Sequence, residues 1–172
     1  MDNLVIRNMK EADLEQIMLI QSECYTDVAP ESRASLQNKL ILSPDTCWVG
    51  ETNNNLIAYL ICHPWGIGTI PSLDTQLSEL PKSKEIFYIH DLSVSPKERG
   101  LGFAYKLVEH ALSAAKAIGF NKAALVAVQD SSTFWGKFGF IPSDSLDQEN
   151  QDKFSVYGEG AVYMESEKLD EA

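Results

Sequence analysis

The chain between Tyr88 and Ile118 shows two hydrophobic periods in succession, which predict a strand followed by a helix. Residues 88–94 alternate with a period of two and are rich in aromatic and β-branched types, as strands are. One face of this strand is expected to carry Tyr88, His90, Leu92 and Val94. Asp91 is expected on the opposite face. From Phe103 to Ile118 apolar residues recur at helical spacing, and Gly119 follows where a helix readily takes a left-handed cap.

The same patterns predict the elements on either side. Strands are expected at 4–9, 47–51, 56–63, 122–128 and 161–164, and helices at 11–24, 32–42 and around Phe134. The strand at 122–128 follows the helix and is therefore expected to run parallel to the strand at 88–94. Residues 144–160 are polar and predict a loop. The predicted fold class is α/β, with a central mixed sheet flanked by about four helices.

The segment 64–83 interrupts this order with prolines and glycines. Leu73, Leu77 and Leu80 predict one short helix within it. A connection of this length inside a compact domain is often functional, and this one leads directly into the strand that begins near Tyr88. Two interpretations stay open: the segment folds over the substrate side, or it only covers apolar surface.

Length and composition favour one domain over residues 1–172, with an acidic tail at about 166–172. The acidic residues from Glu165 onward are expected to be solvated or frayed. No apolar run approaches the ~20 residues that span a bilayer, and the N-terminus does not resemble a signal peptide. We therefore expect a cytoplasmic protein with no membrane partner. Cys24, Cys47 and Cys62 have no paired spacing and predict reduced core thiols, and the scattered histidines predict no metal site.

The formal net charge of −11 is strongly acidic. Nucleic-acid binding needs a basic patch, so a nucleic-acid partner is not expected. An acidic surface attracts cationic substrates such as amines, although solubility alone explains the same charge. The oligomeric state is left open between monomer and homodimer.

Gly100 and Gly102 stand at the predicted start of the helix that begins at Phe103. Backbone N–H groups are free at a helix N-terminus, and the absence of Cβ lets a phosphate approach them. A tight turn explains the same glycines without a ligand. The sequence has neither the GxxxxGK[ST] of a nucleoside-triphosphate loop nor the third glycine of a dinucleotide loop.

Two motifs in order resemble the GCN5-related N-acetyltransferases. The loop Lys97-Glu98-Arg99-Gly100-Leu101-Gly102 resembles the coenzyme A loop of that family, usually [RQ]xxGxG, with Lys97 retaining the positive charge at the first position. Phe134-Trp135-Gly136-Lys137-Phe138-Gly139-Phe140 resembles the family's FYxKxGF segment. The resemblance implies a GNAT-like fold and an acyltransferase of the EC 2.3.1 class that uses acetyl-CoA as co-substrate.

The resemblance also implies which residues hold the coenzyme. Backbone groups of Leu92, Ser93 and Val94 would pair with the pantetheine arm, which enters between two splayed strands. The pyrophosphate would lie on a loop formed by Lys97, Arg99, Gly100, Leu101 and Gly102. Trp135 is also expected against the coenzyme, at a position where many family members carry a tyrosine that protonates the leaving thiolate. Tryptophan cannot donate an acidic proton, so either Tyr157 or Tyr163 serves as the donor, or the thiolate leaves into water and backbone dipoles.

His90 is the candidate catalytic base. The strand Tyr88-Ile89-His90-Asp91-Leu92-Ser93-Val94 resembles the HxHxLAV strand of arylalkylamine N-acetyltransferases, with His90 at the second histidine and Tyr88 replacing the first. A neutral imidazole accepts a proton near pH 7, directly or through water. A core histidine with no catalytic role is the alternative. Asp91, on the other face, could orient His90 only across a bulge, and His110 is expected on the surface.

These observations favour transfer of acetyl from acetyl-CoA to a primary amine of a small molecule, arylalkylamine-like or polyamine-like. Such a transfer needs no covalent enzyme intermediate, so the lack of a nucleophile motif does not oppose it. A protein N-terminal or lysine acetyltransferase is a second hypothesis, which predicts an open groove and a short 64–83 segment. A coenzyme A-binding protein without catalysis is a third, for which Trp135 is the only indication.

Overall fold

The computed structural model describes residues 3–25, 30–158, 160–166 and 169. Its strands are β1 Val5–Asn8, β2 Cys47–Thr52, β3 Asn55–Trp65, β4 Ile86–Val94, β5 Ala123–Ala127, β6 Phe140–Pro142 and β7 Val162–Ser166. Its helices are α1 Leu14–Cys24, α2 Arg33–Leu42, α3 Phe103–Ile118, α4 Ser132–Gly136 and α5 Gln148–Phe154. No helix in these described ranges is both long and apolar enough to cross a membrane.

The strands form one mixed sheet in the order β1-β2-β3-β4-β5-β7-β6. β4 and β5 are parallel, and every other neighbouring pair is antiparallel. The α/β mixed sheet and the crossover through α3 are therefore confirmed. The β2–β3 hairpin is confirmed as well, because Asn53 and Asn54 form its turn with φ of 51° and 65°, which asparagine tolerates well.

The sheet separates two apolar layers. α3 packs on one face through a stripe that includes Leu107, Ala111 and Ala115, all fully buried. α1 and α2 cover the other face, where Tyr59 and Ile61 of β3 lie in their core cluster. Gly119 caps α3 with φ 116°, as its sequence predicts. Ile118, the last residue with this apolar spacing, has an exposed side chain at the end of the helix.

β4 and β5 pair only over a short distance. Their register joins Phe87 to Ala123, Tyr88 to Ala124 and Ile89 to Leu125. Beyond that point β4 continues to Val94 and β5 to Ala127, without pairing to each other. Two adjacent strands thus diverge inside the sheet and leave a gap between them.

A β-bulge at His90 shifts which sheet face the side chains of β4 point to. Asp91 pairs with Ile61 while Ile89 pairs with the next residue of β3, Cys62, so His90 has no partner. Asp91 consequently lies on the α1–α2 side of the sheet, where its carboxylate accepts from the Tyr59 hydroxyl. After the bulge, the side chains of Leu92 and Val94 pack with the α3 cluster instead. The prediction that Tyr88, His90, Leu92 and Val94 share one face is therefore wrong.

The segment 66–85, which we call the strap, contains no helix, so the predicted helix through Leu73, Leu77 and Leu80 is wrong. The strap is bonded on one side to α2, where Asp74 accepts from Ser32 and Leu77 exchanges two bonds with Asn38. On its other side the Tyr157 hydroxyl donates to the Pro71 carbonyl, 2.7 Å away. The strap therefore connects two parts of the chain that are distant in sequence.

Two segments are more regular than their polar sequences predict. Residues 148–154, expected in a loop, form α5, whose first turn is capped by the Asp147 carboxylate 2.9 Å from the Asn150 amide nitrogen. Glu165, expected in a solvated tail, lies within β7 and is nearly buried. Ser166 and Leu169 are buried too, while the rest of the predicted tail lies outside the described residues.

Candidate active site

A cavity of about 370 Å³ occupies the gap between the diverging ends of β4 and β5. β4 lines it from Ile89 to Val94, and β5 and the turn after it contribute Leu125, Val126, Val128 and Gln129. The end of α1 and the chain before α2 contribute Gln21, Cys24, Tyr25, Pro30 and Glu31. Leu73 of the strap and Tyr157 also reach the cavity wall. The sheet therefore opens its own centre to a ligand.

His90 lies on this wall with one ring nitrogen bound and the other without a partner. Its Nε2 is 2.5 Å from Oε1 of Glu31. A carboxylate can only accept, so Nε2 carries the proton of this bond. Nδ1 is buried and makes no hydrogen bond. The imidazole side chain is only 2% exposed, so a proton donor must approach Nδ1 closely or through one water.

Glu31, which no sequence motif marks, is held from several directions. Gln21 bonds its backbone twice, donating to the carbonyl at 3.0 Å and accepting from the amide at 3.1 Å. The second carboxylate oxygen accepts from Ser35 Oγ at 2.8 Å and lies 3.6 Å from Nζ of Lys39. Lys39 is fully buried, which is rare for a lysine unless it is paired. Burial alone would raise the pKa of Glu31, but His90, Lys39 and Ser35 outweigh it and hold this pKa at about 2.

This low pKa predicts how acid affects folding. The pKa of Glu31 falls on folding from an ordinary 4.5 to about 2, so the unfolded chain binds the proton more readily between these values. The stability from ionised Glu31 is thus fully present above about pH 4.5 and lost as the pH falls toward 2. We expect the urea midpoint of the wild type to drop more between pH 5 and pH 3 than that of Glu31→Gln. Equal drops in the two proteins would contradict this.

Asp91 belongs to a separate hydrogen-bonded group on the same wall. Its two oxygens accept from the hydroxyls of Tyr25 and Tyr59, at 2.6 and 2.7 Å. Burial raises the pKa of Asp91, and the two tyrosine bonds oppose that rise. The bulge brings Asp91 to the side of His90, but its bonds go to the tyrosines and not to the imidazole. The group anchors the end of α1 to β4.

A second imidazole lies next to His90, on the predicted strand at 56–63, although the sequence does not indicate that the two rings meet. His63 on β3 pairs with Tyr88, and its ring centre is 5.7 Å from that of His90. Its Nδ1 lies 2.9 Å from the Pro64 carbonyl, and its Nε2 is buried without a partner. Burial lowers the pKa of His63 to about 3, so this ring stays neutral at ordinary pH. His63 does not line the cavity and serves as a neutral neighbour of His90.

The predicted coenzyme strand faces the cavity. The carbonyl of Leu92 accepts from the Tyr25 hydroxyl at 3.3 Å, and that of Val94 accepts from Cys24 Sγ at 3.3 Å and from Arg99 Nε at 3.4 Å. All three donors line the cavity, so these carbonyls are directed toward it rather than into the sheet. Ser93 also lines the cavity, with its hydroxyl buried and unpartnered.

The three cysteines are all free. Cys47 and Cys62 are buried as expected, while half-buried Cys24 is not a core thiol.

The predicted phosphate loop lies at the outer end of the same gap. Gly100 and Gly102 have φ of 85° and 80°, and a Cβ added to either would meet no atom within 4 Å. Lys97, Leu101 and the two glycines are exposed, and only Arg99 of this loop reaches the cavity wall. The left-handed backbone therefore favours glycine at both positions, and the space in front of α3 is open.

Trp135 lines the cavity from α4 and is nearly buried. Its ring packs edge to face on Phe134 and Phe140, with centroids 4.9 and 5.8 Å away. Of the two alternative proton donors, Tyr157 lines the cavity and Tyr163 does not. Burial raises the pKa of Tyr157, and its hydroxyl already donates to Pro71. Tyr157 is therefore committed to holding the strap.

The sequence matches the family model described as Acetyltransferase (GNAT) family over residues 14–140. A comparison with curated proteins finds no match. Among solved structures, the chain is similar to the loading GNATL domain of CurA from Lyngbya majuscula, with TM-score 0.77 and 12% identity over 99% of this chain and 100% of that one.

Two further solved structures share this fold. The PaiA N-acetyltransferase from Thermoplasma acidophilum, in complex with coenzyme A, has TM-score 0.68 and 16% identity over 96% of this chain and 99% of that one. Naa50 from Arabidopsis thaliana, in complex with the bisubstrate analogue CoA-Ac-MVNAL, has TM-score 0.68 and 14% identity over 95% and 97% of the two chains. At these identities the likeness establishes a shared fold.

Proposed function

Because the chain belongs to the GNAT family of acetyltransferases, and is thus an acyltransferase of the EC 2.3.1 class that uses coenzyme A, we propose that it acetylates the primary amine of a small molecule. In this proposal His90 is the general base and acetyl-CoA supplies the acetyl group as a thioester. The gap between β4 and β5 holds the pantetheine arm, and the amine enters from the strap side. Arylalkylamine-like and polyamine-like amines are the preferred acceptors.

The observation that carries the small-molecule proposal is the strap. It is bonded to α2 through Ser32 and Asn38 and to the chain after α5 through Tyr157. Between these attachments Leu73 reaches the cavity wall. An acceptor must therefore fit beneath a fastened segment, which favours a small amine over the protein N-terminus or lysine of the second hypothesis.

Several residues have proposed roles toward the coenzyme. Backbone groups of Leu92, Ser93 and Val94 bind the pantetheine arm, because the carbonyls of Leu92 and Val94 face the cavity and Ser93 lies between them on its wall. Lys97, Arg99, Gly100, Leu101 and Gly102 bind the pyrophosphate, with Arg99 neutralising part of its charge. Trp135 packs against the thioester end of the arm and excludes water there.

The proton is the main chemical problem that the chain must solve. An alkylamine resembles lysine, with a pKa of ~10.4, and arrives mostly as an ammonium ion. Glu31 lines the same wall and is ionised, so it attracts a cation to the position of His90. Nδ1 of His90 then accepts the proton, directly or through one water, because the other ring nitrogen is bonded to Glu31.

A screen that follows free-thiol release from acetyl-CoA tests this function. Small primary amines, short peptides with free N-termini and lysine-containing peptides would be compared at equal concentration. We expect turnover with small amines and little with peptides. Preference for peptides would support the second hypothesis. Binding of acetyl-CoA by calorimetry without turnover on any acceptor would support the non-catalytic one.

Removal of the Leu73 side chain tests the strap directly. Leu73→Ala is expected to raise the Michaelis constant for the amine about tenfold and leave that for acetyl-CoA within twofold. Full burial of a leucine contributes roughly 1.5–3 kcal/mol, and half-buried Leu73, covered by a bound amine, should contribute about the lower value. Leu77→Ala is the matched control, because Leu77 belongs to the strap but not to the cavity wall. Shortening the strap between Gly66 and Pro81 should act in the same direction. If the substitutions lower only the melting temperature, the strap is a structural cover.

A further inference from the structure

We propose that Glu31 and Lys39 are positioning residues for His90: Glu31 fixes the tautomer that leaves Nδ1 free, and Lys39 limits how strongly Glu31 holds the imidazolium. This inference rests on the proposed function, in which His90 is the base. It adds two residues that no motif marks, both on the segment 31–39. Glu31 lines the cavity wall just before α2, and Lys39 lies within α2 behind it, so the base would depend on how α2 is placed.

The first step of the argument is the tautomer. The 2.5 Å bond to Glu31 places the proton of a neutral His90 on Nε2. The basic lone pair is then on Nδ1, which is buried and lacks a partner. A buried nitrogen without a hydrogen bond is costly, so its retention indicates a use. An approaching amine or water supplies the missing donor, and the proton moves from that nitrogen or oxygen to Nδ1.

The second step concerns charge. A carboxylate beside an imidazole favours the imidazolium, and an imidazolium cannot act as a base. The Nζ of Lys39 lies 3.6 Å from Glu31 and offsets part of that negative charge. Ser35 connects the two, because it donates to Glu31 and accepts from Lys39 at 2.9 Å. The buried pair thus keeps a carboxylate near His90 while Lys39 offsets part of its charge.

Among the other groups near His90, Asp91 adds a further charge. Its carboxylate interacts with the imidazole across the bulge and is bonded to Tyr25 and Tyr59. Burial lowers the pKa of His63 to about 3 and raises the pKa of Tyr88 and Tyr157, so these three side chains are neutral. Asp74 of the strap is bonded to Ser32. Asp91 and Asp74 are unchanged when Glu31 or Lys39 is replaced, so a difference between those two variants reports on Glu31 and Lys39.

The test is an NMR titration of the histidine rings in the free protein, with the pH–rate profile as a second readout. In the wild type, the ring nitrogens of neutral His90 should show the Nε2–H tautomer. Glu31→Gln keeps a hydrogen-bond acceptor but loses the charge, so the His90 titration midpoint should fall by about one pH unit. Lys39→Met keeps the buried stem but loses the opposite charge, so the midpoint should rise by about one unit. The acidic limb of the rate profile should move in the same two directions.

A neutral substitution in the same region is the control. Asn38→Ala removes two strap bonds that a loosened α2 would also lose, without changing charge. It should leave the midpoint within about 0.3 units. Exposed His110 is the internal reference in every spectrum.

An Nδ1–H tautomer in the wild type, or shifts of the two charge variants in the same direction, would overturn the inference. The tautomer is measured in the wild-type protein alone, so this part of the test does not depend on whether a variant folds. The NMR readout needs no acceptor. Opposite shifts without acetyl transfer would therefore reject the proposed function but keep the control of the His90 ring by Glu31 and Lys39. Acetyl transfer without these shifts would reject that control and keep the proposed function.

Discussion

His90→Gln is expected to lower turnover by about 10²–10⁴-fold, the usual contribution of a general base. Glutamine has a similar size and can still donate to Glu31, so the wall of the cavity should persist. It cannot take a proton from the amine, and the acceptor then loses its proton only to water. The acidic limb of the pH–rate profile near neutrality should disappear. The affinity for acetyl-CoA should stay nearly unchanged, because the residues proposed to bind the coenzyme lie beyond the bulge, from Leu92 onward.

The control is His110→Gln, which makes the same change at an exposed position on α3. It should leave turnover and the pH profile as in the wild type. Steady-state rates from pH 5.5 to 9, together with calorimetric binding of acetyl-CoA, provide both readouts. Wild-type turnover with an unchanged acidic limb in His90→Gln would make His90 a core histidine. The proton would then leave through water or through an acidic side chain such as Glu31.

Most of the fold could be predicted because its signals are local. The stripe of α3, the Gly119 cap and the Ser32 cap of α2 each depend on residues close together in sequence. The polar helix α5 was missed for the opposite reason. It has almost no apolar stripe, and only the capping carboxylate of Asp147 marks its start. Periodicity cannot reveal a helix that buries little of its own surface.

The candidate site was only half predictable. His90 could be found because it stands in a strand motif, but the bulge beside it depends on the pairing of two strands and has no local signal. Glu31 and His63 reach His90 from segments 59 and 27 residues away, so their approach is a property of the tertiary fold. No composition or spacing rule connects them. The side chains that hold and surround the proposed base therefore became visible only in the structure.

Gly100→Glu is expected to abolish detectable coenzyme A binding. Gly100 has φ 85°, a backbone conformation that non-glycine residues adopt at a cost of about 1 kcal/mol. The larger effect is electrostatic and steric. The new carboxylate would enter the open space in front of α3, where the helix dipole and Arg99 are proposed to hold a pyrophosphate. Two like charges in one small site repel strongly, so we expect the dissociation constant for acetyl-CoA to rise at least 100-fold.

Gly139→Glu is the matched control for that experiment. Gly139 is also exposed, has φ 90° and has no atom within 4 Å of an added Cβ, so it shares the backbone strain and the charge change. It lies outside the loop 97–102, in the turn between α4 and β6. Both variants are titrated with acetyl-CoA by calorimetry. If their melting temperatures agree to within a few degrees, a difference in affinity reports on the ligand and not on folding. Equal affinity in Gly100→Glu and the wild type would remove the phosphate-loop assignment, and the coenzyme would then have to enter the β4–β5 gap from another direction.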